Sequence, residues 1–326
     1  MPRQPIPSLK AGRIFLALLA CAYLIYLGVL GNLFLPSIFA PAAAVADHPV
    51  DTQSTTAISY WTVANMISAT DDDQEAAASS SLALKNTITD ISTGKPASQK
   101  GQASRNESAS YPLSTVGKVF FSNSLGQNMM CSGTAVVSAN SSVVDTAGHC
   151  IYNRNEWMQN LIFCPLYDNG NTPYGCWAAR DLEAPTDWIN ARPNDYHHDF
   201  GIAIVAANSR GLLTNVVGGV GWAYNQTVDK PFSAYGYPAR APYDGQTRVS
   251  CENATGKIWQ HGDGNAIAIP CDMTGGSSGG PWFVKIGNNW YLNGHNDFGY
   301  SLQPGYMFSP YYDDTWFAMY DKAQHA

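Results

Sequence analysis

Charge is scarce in this chain. Asp, Glu, Lys and Arg make up 13% of its 326 residues, against about 25% in ordinary globular domains, and no cluster of Lys and Arg stands out. With a formal charge of −7 and a pI near 5.4, a nucleic-acid partner is excluded, because phosphate binding needs a clustered basic surface. No Cys-x-x-Cys occurs, and the adjacent His197 and His198 would face opposite ways on a strand, so no metal site is expected. No internal repeat of fixed period is visible. Aromatic residues are missing from Thr62 to Ser110, and eighteen of the 35 residues from Ala76 to Ser110 are Ala, Ser or Thr. Such a stretch cannot bury enough apolar area to offset its chain entropy.

What is present divides the chain into three. Residues 1–46 carry Arg3, Lys10 and Arg13 with no acid, then an apolar run over 14–40 and the small-x-small triplet Ala44-Val45-Ala46. This reads as an export signal cut after Ala46, or as an uncleaved membrane anchor. Residues 47–110 read as a low-complexity pro-segment or linker, the alternative being a small helical unit around 57–66 and 75–84. Removing the signal takes away Cys21, one of seven cysteines, and leaves six that can pair: Cys131, Cys150, Cys164, Cys176, Cys251 and Cys271. An even count with low charge suits an oxidising, extracellular setting.

From Tyr111 the texture changes, with 32 aromatic residues in 216. Short runs of Val, Ile, Phe and Tyr, such as KVFF (118–121), SVVDTA (142–147), FGIAIVA (200–206), AIAIPC (266–271) and PWFVKI (281–286), alternate with Gly, Asn, Pro and Asp. The pattern predicts an all-β domain over 111–326 and leaves barrels or a sandwich open. A helix is predicted over 309–323, with Ser309 as N-cap and Pro310 at the first helical position.

Three segments carry chemistry. Gly276-Ser277-Ser278-Gly279-Gly280-Pro281 frames a serine with glycines, so that the Ser278 hydroxyl can be presented while the amides of Gly276 and Ser278 converge as an oxyanion hole. A serine hydroxyl is a weak nucleophile and needs a base. His149, in Thr146-Ala147-Gly148-His149-Cys150, follows an apolar strand and has small neighbours. Asp199 heads the most apolar strand, where a partly buried carboxylate needs a hydrogen-bonding partner such as that imidazole.

TAGHC, HDFGIAIV and GGSSGGP, in the order His, Asp, Ser, resemble the catalytic motifs of the chymotrypsin/trypsin-like serine endopeptidases, nearest the exported bacterial branch that includes the glutamyl endopeptidases. The resemblance spans about 111–326. It implies two six-stranded antiparallel barrels with a C-terminal helix, a triad of His149, Asp199 and Ser278, and an oxyanion hole from Gly276 and Ser278. It also implies polypeptide substrates, no cofactor and no nucleic acid, with contact to a membrane only through an uncleaved N-terminus; a monomer is expected. Cys131 and Cys150 occupy the place of the family's usual bridge, while Cys164–Cys176 and Cys251–Cys271 would close short loops. Two departures stand out. Ser277 replaces the acid that captures a freed N-terminus in trypsin-type zymogens. His295 matches a residue that helps glutamyl endopeptidases bind acidic side chains, but Met273 stands where they have Thr.

Two other readings compete. Gly276-Ser277-Ser278-Gly279-Gly280 also fits the nucleophile elbow of esterases and lipases, though Pro281 opens a strand where that elbow requires a helix. A noncatalytic binding module on a protease scaffold is the third. Asn106, Asn140, Asn225 and Asn253 stand in Asn-x-Ser/Thr triplets and would accept glycans only in a glycosylating host.

Overall fold

The computed structural model describes residues 43–50, 54–71, 110–191, 196–261, 264–299 and 304–326. An N-terminal strap comes first: β1 (Val45–Pro49), α1 (Ser54–Tyr60), α2 (Val63–Ser68) and β2 (Thr70–Asp71). The first half of the β domain holds β3 (Val116–Ser122), β4 (Asn128–Val136), β5 (Val143–Ala147), the hairpin β6 (Tyr152–Asn153) and β7 (Glu156–Trp157), β8 (Gln159–Pro165), β9 (Trp177–Pro185), α3 (Thr186–Ile189) and β10 (Phe200–Val205). Then follow α4 (Leu213–Val217), β11 (Gly221–Trp222), β12 (Pro231–Gly236), β13 (Val249–Thr255), β14 (Lys257–His261), β15 (Gly264–Pro270), β16 (Pro281–Ile286), β17 (Asn289–His295), β18 (Tyr306–Pro310) and α5 (Asp314–Ala323).

Strands β9, β10, β5, β4, β3 and β8 pair antiparallel in that order, and β8 returns to β9, closing a six-stranded barrel. Closure leaves no open edge inside the ring. The second half builds β11-β17-β16-β12-β13 and β14-β15-β18 around Phe232, Ile267, Ile269, Trp282 and Val284. The fold is all-β, of the double-barrel chymotrypsin-like kind.

Strand β10 shows why its run reads as continuously apolar. Side chains alternate across a strand, so Ala203 and Val205 enter the first barrel's core while Phe200, Ile202 and Ile204 pack beneath α5 with Tyr312, Trp316 and Met319. Strand β5 divides in the same way: Val144 goes inward, and Asp145 faces the helix, where Tyr312 Oη and Trp316 Nε1 donate to it at 2.7 and 2.8 Å.

The C-terminal helix forms, but it starts later than predicted. Ser309 and Pro310 lie in β18, paired with Ile267 and Ala266 of β15. Asp313 caps the helix, accepting from the amides of Thr315 and Trp316. A carboxylate there satisfies two orphan donors and complements the helix dipole, whereas Ser309 Oγ accepts from the His295 amide instead.

Strap residues also depart from a bare linker. All five residues of β1 pair with Asp181–Pro185 of β9. Trp61 and Ala57 are buried, Trp61 Nε1 donates to Asn160 O, and Arg240 pairs with Asp71. The stretch from 72 to 109 and the predicted export signal through residue 42 lie outside the described residues. Among those described, no helix is long and apolar enough to cross a membrane. Three disulfides form, Cys131–Cys150, Cys164–Cys176 and Cys251–Cys271; loops of this length typically gain about 3 kcal/mol each from closure.

Two buried charges bear on stability. Lys118 Nζ donates to Gly245 O at 2.8 Å over the rings of Phe120 and Tyr167, and burial pulls its pKa down to about 7. Burial pushes the Glu183 carboxyl up to about 7, since neither oxygen has a hydrogen-bond donor and Lys322 Nζ stays 3.9 Å away. The folded state therefore holds a proton on Glu183 that the unfolded chain releases, so this group costs stability as pH rises from about 4.5 to about 7. Lys118 acts oppositely, adding stability as pH rises from about 7 to about 10.5. Melting temperatures measured across that range should show Glu183→Gln removing the first trend and Lys118→Met the second.

Candidate active site

The β5–β10 pairing sets the first half of the site. Phe200 lies opposite Ala147 and Gly201 opposite Thr146, so the residue before β10 meets the turn that follows β5. That turn is a short 3₁₀ helix, Gly148–Cys150, and it presents His149. Asp199 is wholly buried; its Oδ1 accepts the His149 amide at 2.7 Å and its Oδ2 lies 2.8 Å from His149 Nδ1. The Gly148 amide donates to Asp199 O. A Cβ on Gly148 would stand 2.8 Å from Asp199 Oδ1 and 2.9 Å from Phe200 O, so only glycine lets the turn close on the carboxylate. Cys150 then ties the turn to β4 through Cys131.

The serine loop spans the gap between β15 and β16. The Ser277 amide and Oγ both donate to Thr274 O, and the Gly280 amide donates to Ser277 O, which folds the loop tightly. Strand β4 of the first barrel holds it from the other side. The Ser132 amide donates to Ser278 O at 2.7 Å and Ser132 Oγ to Gly276 O at 3.0 Å. Gly279 adopts φ +77°, and a Cβ there would overlap Thr146 Oγ1 and Ser132 O. Ser278 Oγ donates to Asp297 O at 3.2 Å.

Asp297 joins the two halves. Its backbone oxygen meets Ser278, and its carboxyl Oδ1 lies 3.5 Å from His149 Nδ1. Sequence reasoning overlooked it, because Asp297 lies just past β17, whose sequence Asn289–His295 is half polar and does not mark the acid out. The structure thus brings His149, Asp199 and Ser278 to one place, with Gly276 in the same loop as Ser278.

The two specificity candidates lie elsewhere in the interior. Met273 is buried, with Asn296 Nδ2 3.7 Å from its sulfur. His295 is fully buried; its Nε2 must carry hydrogen, since it faces Asp199 O at 3.1 Å, and its Nδ1 lies 2.8 Å from Tyr312 Oη. Both of its ring nitrogens are therefore engaged within the protein.

No family model matches the chain, and no curated protein sequence does. Solved structures do. The protease Anisep from Arthrobacter nicotinovorans is 36% identical over 67% of this chain and 98% of its own, with a TM-score of 0.59. The thermostable serine protease AL20 from an extremophilic microorganism is 39% identical over 65% of this chain and 98% of its own, with a TM-score of 0.60. A Glu endopeptidase, 16% identical over 68% of this chain and 94% of its own, shares the fold with a TM-score of 0.54. Two barrels meeting at a buried His–Asp pair and a glycine-framed serine define a serine protease of the two-barrel type. The chain belongs to the chymotrypsin-like serine protease family and is a serine endopeptidase, a hydrolase acting on polypeptides.

Gly279→Ala should lower stability by about 2 kcal/mol or more, because the backbone is left-handed there and the added methyl meets β4. A urea titration beside Gly287→Ala, which shares a positive φ but has open space, isolates the steric part.

Proposed function

We propose that peptide hydrolysis here runs through Ser278 as nucleophile, His149 as general base and acid, and Asp199 as the group that orients His149. The observation that carries this reading is the convergence on Asp297, whose carbonyl receives Ser278 Oγ while its carboxyl approaches His149 Nδ1. Asp199 holds Nδ1 and the His149 amide, which assigns the serine proton to Nε2. Ser278 Oγ then attacks the scissile carbonyl, and the amides of Gly276 and Ser278 hold the oxyanion. His149, now imidazolium, protonates the leaving amine, and water releases the acyl group from Ser278 by the same path.

The reading includes export. Three disulfides persist where thiols are oxidised, and the basic, then apolar, N-terminus supplies an address. Residues 47–110 act as a pro-segment whose portion through Asp71 stays docked on the domain. N-terminal sequencing of protein recovered from the medium would count against this if no processed form were present. For specificity, the engaged nitrogens of His295 give no support to an acidic preference through that ring.

Ser278→Ala and His149→Ala should each lower kcat by about 10⁴-fold or more with melting behaviour preserved. A fluorophosphonate probe should label the wild type and not Ser278→Ala. Substantial peptide turnover by either variant would sink the assignment.

A further inference from the structure

Asp297 presents a chemical problem that the triad reading does not use. One imidazole nitrogen, His149 Nδ1, faces two carboxyl groups, Asp199 Oδ2 at 2.8 Å and Asp297 Oδ1 at 3.5 Å. Nδ1 carries one hydrogen. Asp199 has the shorter contact and also accepts the His149 amide, so both its oxygens bond to His149. Neither oxygen of Asp297 accepts a hydrogen bond, and the residue is only 5% exposed. An anion in that position would be buried without a donor beside a second anion, an arrangement that costs several kcal/mol. Protonation resolves it: the acid form turns an acceptor without a donor into a donor, and the carboxylate of Asp199 is the acceptor at hand.

We propose that Asp297 is a positioning residue that faces the pair as a neutral carboxylic acid and donates its proton to Asp199, leaving His149 with a single anionic partner. The inference rests on the triad reading above. Burial first, and then the charge of Asp199, hold the Asp297 carboxyl well above the usual carboxylate range, in accord with this geometry.

The other titratable groups packed nearby have their own partners. His295 lies between Asp199 O and Tyr312 Oη, and Tyr312 donates to Asp145, which also accepts from Trp316 Nε1. Of the groups facing Asp297, Asp199 raises its carboxyl and His149 opposes the shift. In this arrangement Asp297 keeps the Asp199 carboxylate aimed at Nδ1 without adding a second negative charge that would favour imidazolium and leave less of the neutral imidazole to act as base.

The test compares Asp297→Asn with Asp297→Ala in the full-length protein, using kcat and KM on a peptide substrate from pH 5 to about pH 10. Asparagine keeps a neutral donor toward Asp199, and alanine has none. Alanine should lower kcat roughly tenfold with KM little changed, and asparagine should recover most of that loss. The acid limb of kcat/KM should stay where it is in Asp297→Asn. If Asp297 were instead ionised in the resting enzyme, removing its charge would move that limb to lower pH by about one pH unit, and the proposal would fall. It would also fall if asparagine were as impaired as alanine while both melt like the wild type. Should alanine fail to fold, the position of the acid limb in Asp297→Asn decides alone. Labelling of the wild type and of Ser278→Ala with the fluorophosphonate separates failure of this inference from failure of the triad. Loss of label in Ser278→Ala upholds the triad whatever the Asp297 variants do.

Discussion

A carboxylate with no exposure has to be surrounded by donors, and the site is organised around meeting that demand at Asp199. An isolated buried anion costs several kcal/mol unless hydrogen bonds compensate. Here His149 supplies compensation through both its amide and its ring. That double contact requires the turn after β5 to lie against the head of β10, which the register of the two strands delivers. It requires Gly148, because any side chain would occupy the approach. It also requires Cys150 to be tied to β4, so that the turn cannot swing away from the carboxylate.

The serine arrives from the other barrel, so the site depends equally on how the two halves are joined. Ser132 of β4 is the most direct link, donating through its amide to Ser278 and through its hydroxyl to Gly276, while the Tyr237 amide donates to Ser132 Oγ. Lys118 reaches from β3 to Gly245 in the second half. On the opposite side Tyr312, just before α5, and Trp316 within it pack onto β10 and both donate to Asp145 of β5. These are polar contacts in a dry setting, each with a defined direction, and directional bonds specify relative placement in a way apolar contact alone does not.

Much of this was legible in the sequence. Glycine-framed Ser278, His149 after an apolar run and Asp199 at the head of another stood out because each combines a reactive side chain with a backbone that only small or strand-forming neighbours permit. What stayed hidden has a common cause. Strand β9 was not read as a strand because Arg180, Asp181 and Glu183 interrupt it, yet it closes the barrel at one end and carries β1 at the other. The helix start was misplaced because Ser309 and Pro310 suit a helix N-terminus locally, and pairing with β15 overrides that preference. Asp297 was passed over because its significance arises only when β17 is brought beside the turn after β5, a contact between residues far apart in the chain.

Scarcity of charge takes on a different meaning in three dimensions. Lys118, Asp145, Glu183, Asp199 and Asp297 are all buried in a chain that has few ionisable side chains to place. Asp145 and Asp199 are met by donors, and Lys118 by a carbonyl and two ring faces. Glu183 and Asp297 have carboxyl oxygens with no donor, and burial raises both, so the protonated form is the one each site favours. The two differ in what lies next to them. Lys322 near Glu183 partly opposes the shift, whereas Asp199 beside Asp297 reinforces it. A second carboxyl can therefore stand beside the His149–Asp199 pair without competing for the imidazole, because the first one keeps it neutral.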